Sequence, residues 1–295
     1  MRNPLMMYDI TTSSDHVLKI MKNCARGTVH SIYRKTINLS MGEQLIALQA
    51  ADSPLSPISL ICSLSAQEMN RLPVAVGDTV TVNNHFMQLL IGTDCLFSFK
   101  HADIYDLNLF SSVSSQRIPA LEQEIKSAVT CQDKGSFELL FSQFLPIDKI
   151  ENNFFLAAAL NYLKQTSHCL ADSCWNEAAH SLCRLIGLGP GLTPGGDDFL
   201  CGVLAGLIFC DCTHHPFSIA LHESIASHLD NTNTISAAFL QCALNKQFSM
   251  AVCSLCQIPS REKILHDFQA IGHSSGTDTL CGIVYLLQNR DKLLS

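Results

Sequence analysis

The sequence predicts an α+β fold: a β-rich N-terminal domain, built as an antiparallel sheet or a small barrel, followed by a mainly α-helical C-terminal domain. Three observations carry this. At 295 residues the chain has room for two domains of about 150 residues each. Between residues 28 and 110, short apolar or alternating runs are separated by Pro, Gly and Asn turn signals. From about Pro119 the apolar spacing becomes helical. The expected domains are 1–115 and 116–295.

Thr28 to Leu39 mixes β-branched, aromatic and polar residues in the manner of a strand. Leu45 to Leu48 and Ile58 to Leu64 are short apolar runs kept apart by Pro54 and Pro57. Asp78 to Val82 alternates after Gly77, and Phe86 to Ile91 follows the Asn83-Asn84 turn. Leu96 to Leu109 adds two more strands. Strands at this spacing suit an antiparallel sheet or small barrel. Beyond Pro119, Ala120 to Val129 places Glu122, Glu124 and Lys126 outward. Residues 135 to 145, 151 to 164 and 172 to 186, the last holding the single tryptophan Trp175, follow the helical period. The remainder is helical with glycine-rich interruptions.

Charge and hydropathy narrow the function classes. Twenty-six acidic residues against 19 basic ones give −7, and charged residues are 15% of a chain that is 47% hydrophobic. A disordered acidic tail needs the opposite balance. A generic nucleic-acid binder needs a basic face. Mean hydropathy is +0.19, yet the longest apolar run, Phe199 to Cys210, is well short of the ~20 residues that span a bilayer. Met1 to Ile10 carries Arg2 and Asp9 and has no long apolar core. The expectation is a cytoplasmic protein with no export signal.

Fourteen cysteines in such a chain read as reduced thiols. Cys201, Cys210, Cys242 and Cys281 sit in apolar helical runs, as small hydrophobes do. Cys253 and Cys256 lack a second pair at zinc-ribbon spacing, and Cys210, Cys212, His214 and His215 are too crowded to reach one tetrahedral ion. No metal site is expected from these residues.

The chemistry concentrates in Gly187-Leu-Gly-Pro-Gly-Leu-Thr-Pro-Gly-Gly-Asp-Asp198, which runs straight into an apolar helix. Gly187, Gly189 and Gly191 permit positive φ and close approach to a ligand. Thr193 and Pro194 read as N-cap and first helical residue. The free N–H groups of that helix start would favour an anion. There is no Walker lysine and no dinucleotide fingerprint in strand–helix context. The plainer alternative is an elaborate helix cap, with Asp197 and Asp198 complementing the dipole.

A second element resembles the first. Gly195-Gly-Asp-Asp-Phe-Leu-Cys-Gly-Val203 aligns with Ser275-Gly-Thr-Asp-Thr-Leu-Cys-Gly-Ile283 at five of nine positions, pairing Gly196 with Gly276, Asp198 with Asp278 and Gly202 with Gly282. Small residues four positions after each Asp would let the two helices approach closely and bring both N-termini to one site. Gly272-His-Ser-Ser-Gly276 also fits a serine-hydrolase elbow, but a helical segment precedes it and no histidine follows His273. Asn231 to Ser236 is either an N-cap at Asn233 or Thr234, or a source of donors, Thr234 and Ser236, for the same pocket.

The ordered set Gly187 to Gly202, then Thr234 and Ser236, then Gly272 to Gly282 resembles the AllH family, as does Arg34-Lys-Thr-Ile-Asn-Leu39 in the first half. The resemblance implies a subunit of oxamate carbamoyltransferase, working with AllF-like and AllG-like protein subunits in allantoin degradation. That reaction exchanges a carbamoyl group between oxalurate and phosphate, yielding oxamate and carbamoyl phosphate. The alternative is a non-catalytic scaffold or regulatory subunit of an acyl-CoA-synthetase-like, AllF-type complex.

On this reading Asp198 and Asp278 are the catalytic candidates. Gly189, Gly191, Thr193, Gly195, Gly196, Asp197, Thr234, Ser236, His273, Ser274, Ser275, Gly276, Arg34 and Asn38 are the substrate-binding candidates, for a small anionic substrate. Hydroxyls and backbone N–H groups suit a carboxylate or a phosphate. For the aspartates three roles stay open: holding Mg²⁺ bridged to phosphate, accepting from a carbamoyl N–H₂, or capping helices. No organic cofactor, nucleic acid or membrane partner is expected.

Overall fold

Residues 5–130, 136–141 and 153–294 are described by a computed structural model, and the chain divides into one unit up to Leu107 and another from Asn108. In the first unit, eight strands close on themselves: β1 (Met6–Ser14), β2 (Arg26–Ile32), β3 (Thr36–Met41), β4 (Gln44–Gln49), β5 (Ser59–Cys62), β6 (Thr79–Asn83), β7 (Gln88–Ile91) and β8 (Cys95–Ser98). The order is β5-β4-β3-β2-β6-β7-β8-β1, and β1 pairs back to β5. The ring is therefore a small barrel without open edges. β9 (Asp103–Tyr105) joins the second half of β1. Alternation builds the interior: in β6, Val80 and Val82 are buried while Thr79, Thr81 and Asn83 face out.

Two details of the expectation change. The strands begin at Met6 rather than at residue 28, and the pairing is mixed, with β1–β8, β1–β9 and β4–β5 parallel. The first strand hides because its buried end is Ser13-Ser14 instead of apolar residues. These hydroxyls are satisfied inside: Ser14 Oγ donates to the Pro57 carbonyl and accepts from Val17 N–H, capping α1 (Asp15–Asn23). A Thr-Thr-Ser-Ser run reads as a loop by composition while acting here as a strand and a cap. A short helix, α2 (Ala66–Met69), is also new.

The second unit is helical: α3 (Ile118–Thr130), α4 (Glu138–Phe141), α5 (Phe154–Ala171), α6 (Trp175–Cys183), α7 (Gly195–Phe209), α8 (Pro216–Ala226), α9 (Thr234–Leu244), α10 (Met250–Ser254), α11 (Arg261–Gln269) and α12 (Ser275–Leu294). α3 turns Leu121, Ile125 and Ala128 inward and pairs Glu122 with Lys126 outside, as its period predicts. Of the expected helix over 135 to 145, residues 138–141 are helical, while 135 and 142–145 lie outside the described residues, as do 151 and 152 of the next. Trp175 packs edge-on against His215 at 4.6 Å.

α7 and α12 are buried along most of their length, and their apolar residues belong to one continuous core. A helix that is apolar all round belongs inside such a core. No helix among the described residues is long and apolar enough to cross a membrane. None of the described cysteines forms a disulfide.

Candidate functional site

The internal repeat is a helix crossing. A Cβ on Gly202 would lie 2.0 Å from the Thr279 carbonyl oxygen and 3.0 Å from Ile283 N, whereas one on Gly282 would lie 1.9 Å from the Phe199 carbonyl oxygen and 3.0 Å from Val203 N. Thr279 and Ile283 are the repeat equivalents of Phe199 and Val203. α7 and α12 thus touch backbone to backbone, reciprocally, at the matched glycines. Only glycine permits this approach. The crossing brings both helix starts to one place, where Thr193 Oγ1 and Ser275 Oγ share a hydrogen bond of 2.8 Å.

Three aspartates stand at this junction in different states. Asp197 is a clasp: Oδ1 accepts from Gly187 N–H at 2.8 Å and Oδ2 from Thr232 Oγ1 at 2.5 Å, tying the glycine loop to the segment before α9. Asp198 is half-buried, with Oδ2 sealed from solvent and without a well-formed hydrogen bond among the described residues. Burial holds its carboxyl well above the usual range; the hydroxyls of Ser275 and Thr193 oppose this, and the charges of Asp278 and Asp197 add to it.

Asp278 has no exposed surface. Its Oδ1 accepts from Phe137 N–H at 3.1 Å, while Oδ2 lacks a well-formed hydrogen bond among the described residues. Burial, with the charge of Glu138 added, pushes it up to about 7 against the hydroxyls of Ser136 and Ser274 and the Phe137 N–H. Oδ2 faces Gly195, where a Cβ would come within 2.9 Å of it and 3.1 Å of Ser136 Oγ.

The other candidates scatter. Gly189 and Gly191 do take positive φ, +122° and +107°. Thr193 is not the cap: α7 starts at Gly195, the Pro194 carbonyl accepts from Asp197 N and Asp198 N, and the Thr193 hydroxyl goes to Ser275 instead. Gly196 turns inward, its N–H donating to Leu188 O at 2.9 Å, and Gly276 packs against the Phe268 carbonyl. Asn233 caps α9 through Ile235 N and Ser236 N. Thr234 is exposed, and buried Ser236 sits beside Asp197 rather than Asp198. His273 is exposed and Ser274 half-buried. Arg34 and Asn38 belong to the first unit, where Arg34 is exposed and Asn38 Nδ2 donates to Ser31 Oγ at 3.0 Å.

Sequence reasoning missed the turn at 136–138. Phe137 supplies the amide that holds Asp278 and stacks its ring on Phe199 at 4.8 Å, and Ser136 N–H donates to both oxygens of buried Glu138. Nothing in its pattern separates it from an ordinary helix start. Gly272 to Gly276 links α11 to α12, so no strand-borne nucleophile elbow exists there. Among the described residues no three His, Cys, Asp or Glu side chains gather as a metal site.

The crossing, with its two Gly-x-Asp starts, lies within residues 185–287, which match a family model described as oxamate carbamoyltransferase subunit AllH. All but the first three residues of the barrel lie within the match of a second model, the AllH family N-terminal domain, over residues 9–104. The chain belongs to the AllH family. No curated protein and no solved structure matches it significantly. The AllH match contains Thr193, Asp197, Asp198, Ser275 and Asp278, and the AllH N-terminal match contains Arg34 and Asn38. Ser136, Phe137 and Glu138 fall between the two AllH spans.

Proposed function

We propose that the chain is one subunit of a carbamoyltransferase-type complex and binds a small anionic carbamoyl or amide compound, of the type of carbamoyl phosphate or oxamate, where α7 and α12 begin. One observation carries the reading: two sealed carboxyl oxygens, Asp198 Oδ2 beside the Thr193–Ser275 hydroxyl pair and Asp278 Oδ2 against Gly195, stand without well-formed hydrogen bonds. A buried polar atom left unpaired costs about 1–3 kcal/mol. A ligand with N–H or O–H groups removes that cost, and its anionic end suits the Thr193 and Ser275 hydroxyls. The family name denotes a subunit of oxamate carbamoyltransferase, and AllF-like and AllG-like chains are the proposed partners.

The test has two arms. Calorimetry on the purified chain should show binding of oxamate or carbamoyl phosphate, and Thr193→Val should weaken it. Carbamoyl transfer should then appear only when the AllF-like and AllG-like subunits are added. Binding that persists with no effect of this chain on the assembled activity makes it a regulatory subunit. Absence of binding to either compound refutes the ligand assignment.

A further inference from the structure

The ligand reading above is the basis for one step more: we propose that Asp198 and Asp278 act as a carboxyl pair that carries one proton between them and selects a primary amide or carbamoyl group over a carboxylate. The geometry points to this. Gly195 and Asp198 lie three residues apart on one face of the first turn of α7, and Asp278 Oδ2 packs against Gly195. Asp278 Oδ2 therefore lies against the turn of α7 that carries Asp198, and the charge of Asp278 adds to the rise of the Asp198 carboxyl.

Around them are Glu138 from α4 and Asp197 from α7, the hydroxyls of Thr193, Ser274, Ser275 and Ser136, and the thiols Cys201 and Cys281, which burial keeps protonated. Two like charges so enclosed do not both ionise near neutral pH. Phe137 N–H donates to Asp278 Oδ1, so a proton on Asp278 belongs on Oδ2, the oxygen with no well-formed bond. A half-ionised pair offers one O–H donor and one carboxylate acceptor. A primary amide offers the complement, a carbonyl oxygen and an N–H₂. A carboxylate offers acceptors only and would face the ionised partner.

The full-length chain is titrated with oxamate and with oxalate, which differ only in amide against carboxylate, by calorimetry in two buffers of different ionisation enthalpy. Oxamate should bind at least tenfold tighter than oxalate at pH 8. Near pH 7 the free pair already carries its proton, so oxamate binding should change the bound proton count little there, and proton uptake should grow as pH is raised and the free pair loses that proton. Asp198→Asn and Asp278→Asn, each tested separately, should abolish the uptake, because neither leaves a like-charged pair. Equal affinities for the two compounds, or oxamate binding whose proton uptake does not grow as pH is raised from 7 in the unaltered chain, overturn the amide selection and leave the ligand site standing. If neither compound nor carbamoyl phosphate binds, the ligand reading itself fails and this inference with it.

Discussion

The Asp278 carboxyl, part of the proposed site, also bears on stability. Its carboxyl is raised to about 7 by burial, against about 3.9 in an unfolded chain. The folded state therefore holds the proton more tightly, and that contribution is complete below about pH 4 and lost as pH rises to about 7. The shift amounts to on the order of 4 kcal/mol at most. Asp278→Asn stays neutral and keeps the acceptor for Phe137 N–H. Its urea midpoint should exceed that of the unaltered protein at pH 8, and the two should converge near pH 4; parallel curves would refute the assignment. Thr193→Val removes the hydroxyl bonded to Ser275 and should weaken oxamate or carbamoyl phosphate binding about tenfold while costing the fold about 1 kcal/mol. Residue types and the paired starts were legible in the sequence. Which of the adjacent Asp197 and Asp198 is the clasp was not, because that depends on Thr232 and Gly187 meeting one of them in space.

At the level of elements, the decisive device is the pair Gly202 and Gly282. Intrinsic helix propensity makes Gly→Ala favourable by about 1 kcal/mol. Here a Cβ would strike a carbonyl oxygen of the facing helix, so Gly202→Ala and Gly282→Ala should each destabilise by about 2 kcal/mol or more in denaturant unfolding. Gly206→Ala is the control. Its Cβ would meet Leu286 Cδ2 at 2.9 Å and Cβ at 3.0 Å, with the nearest carbonyl oxygen of the facing helix at 3.5 Å instead of 1.9 or 2.0 Å, and its cost should be smaller; equal costs would argue against the crossing. The five matching positions of the repeat made this element readable. The first barrel strand was not, since Ser13 and Ser14 replace apolar contacts with internal hydrogen bonds. The turn at 136–138 was equally silent, because its hydrogen bond to Asp278 Oδ1 comes from a backbone N–H, which any residue but proline provides.

For the whole molecule, the switch of hydrophobic period from two to 3.6 residues announced barrel then helices, and that division is what a residue-by-residue pattern can carry. Ring closure could not be read, since pairing of β1 with both β5 and β8 is set by distant partners. The thiol inventory tests the reduced, core-filling reading. Denatured protein without reductant should titrate fourteen thiols. In the native state Cys174, the exposed one among the described cysteines, should react first. Mass spectrometry after brief alkylation identifies it, and early labelling of Cys242 or Cys281 would contradict the packing.

The glycine crossing joins stretches about eighty residues apart along the chain. Contacts closed over so long a loop pay their entropy before they return anything, and we expect this one to form after the main folding barrier. A compound held at that junction should therefore act on one limb of the kinetics. Bound oxamate should slow unfolding and leave the refolding rate nearly unchanged. The same junction would then serve as a mark of completed folding, present only in chains whose two distant helices have met.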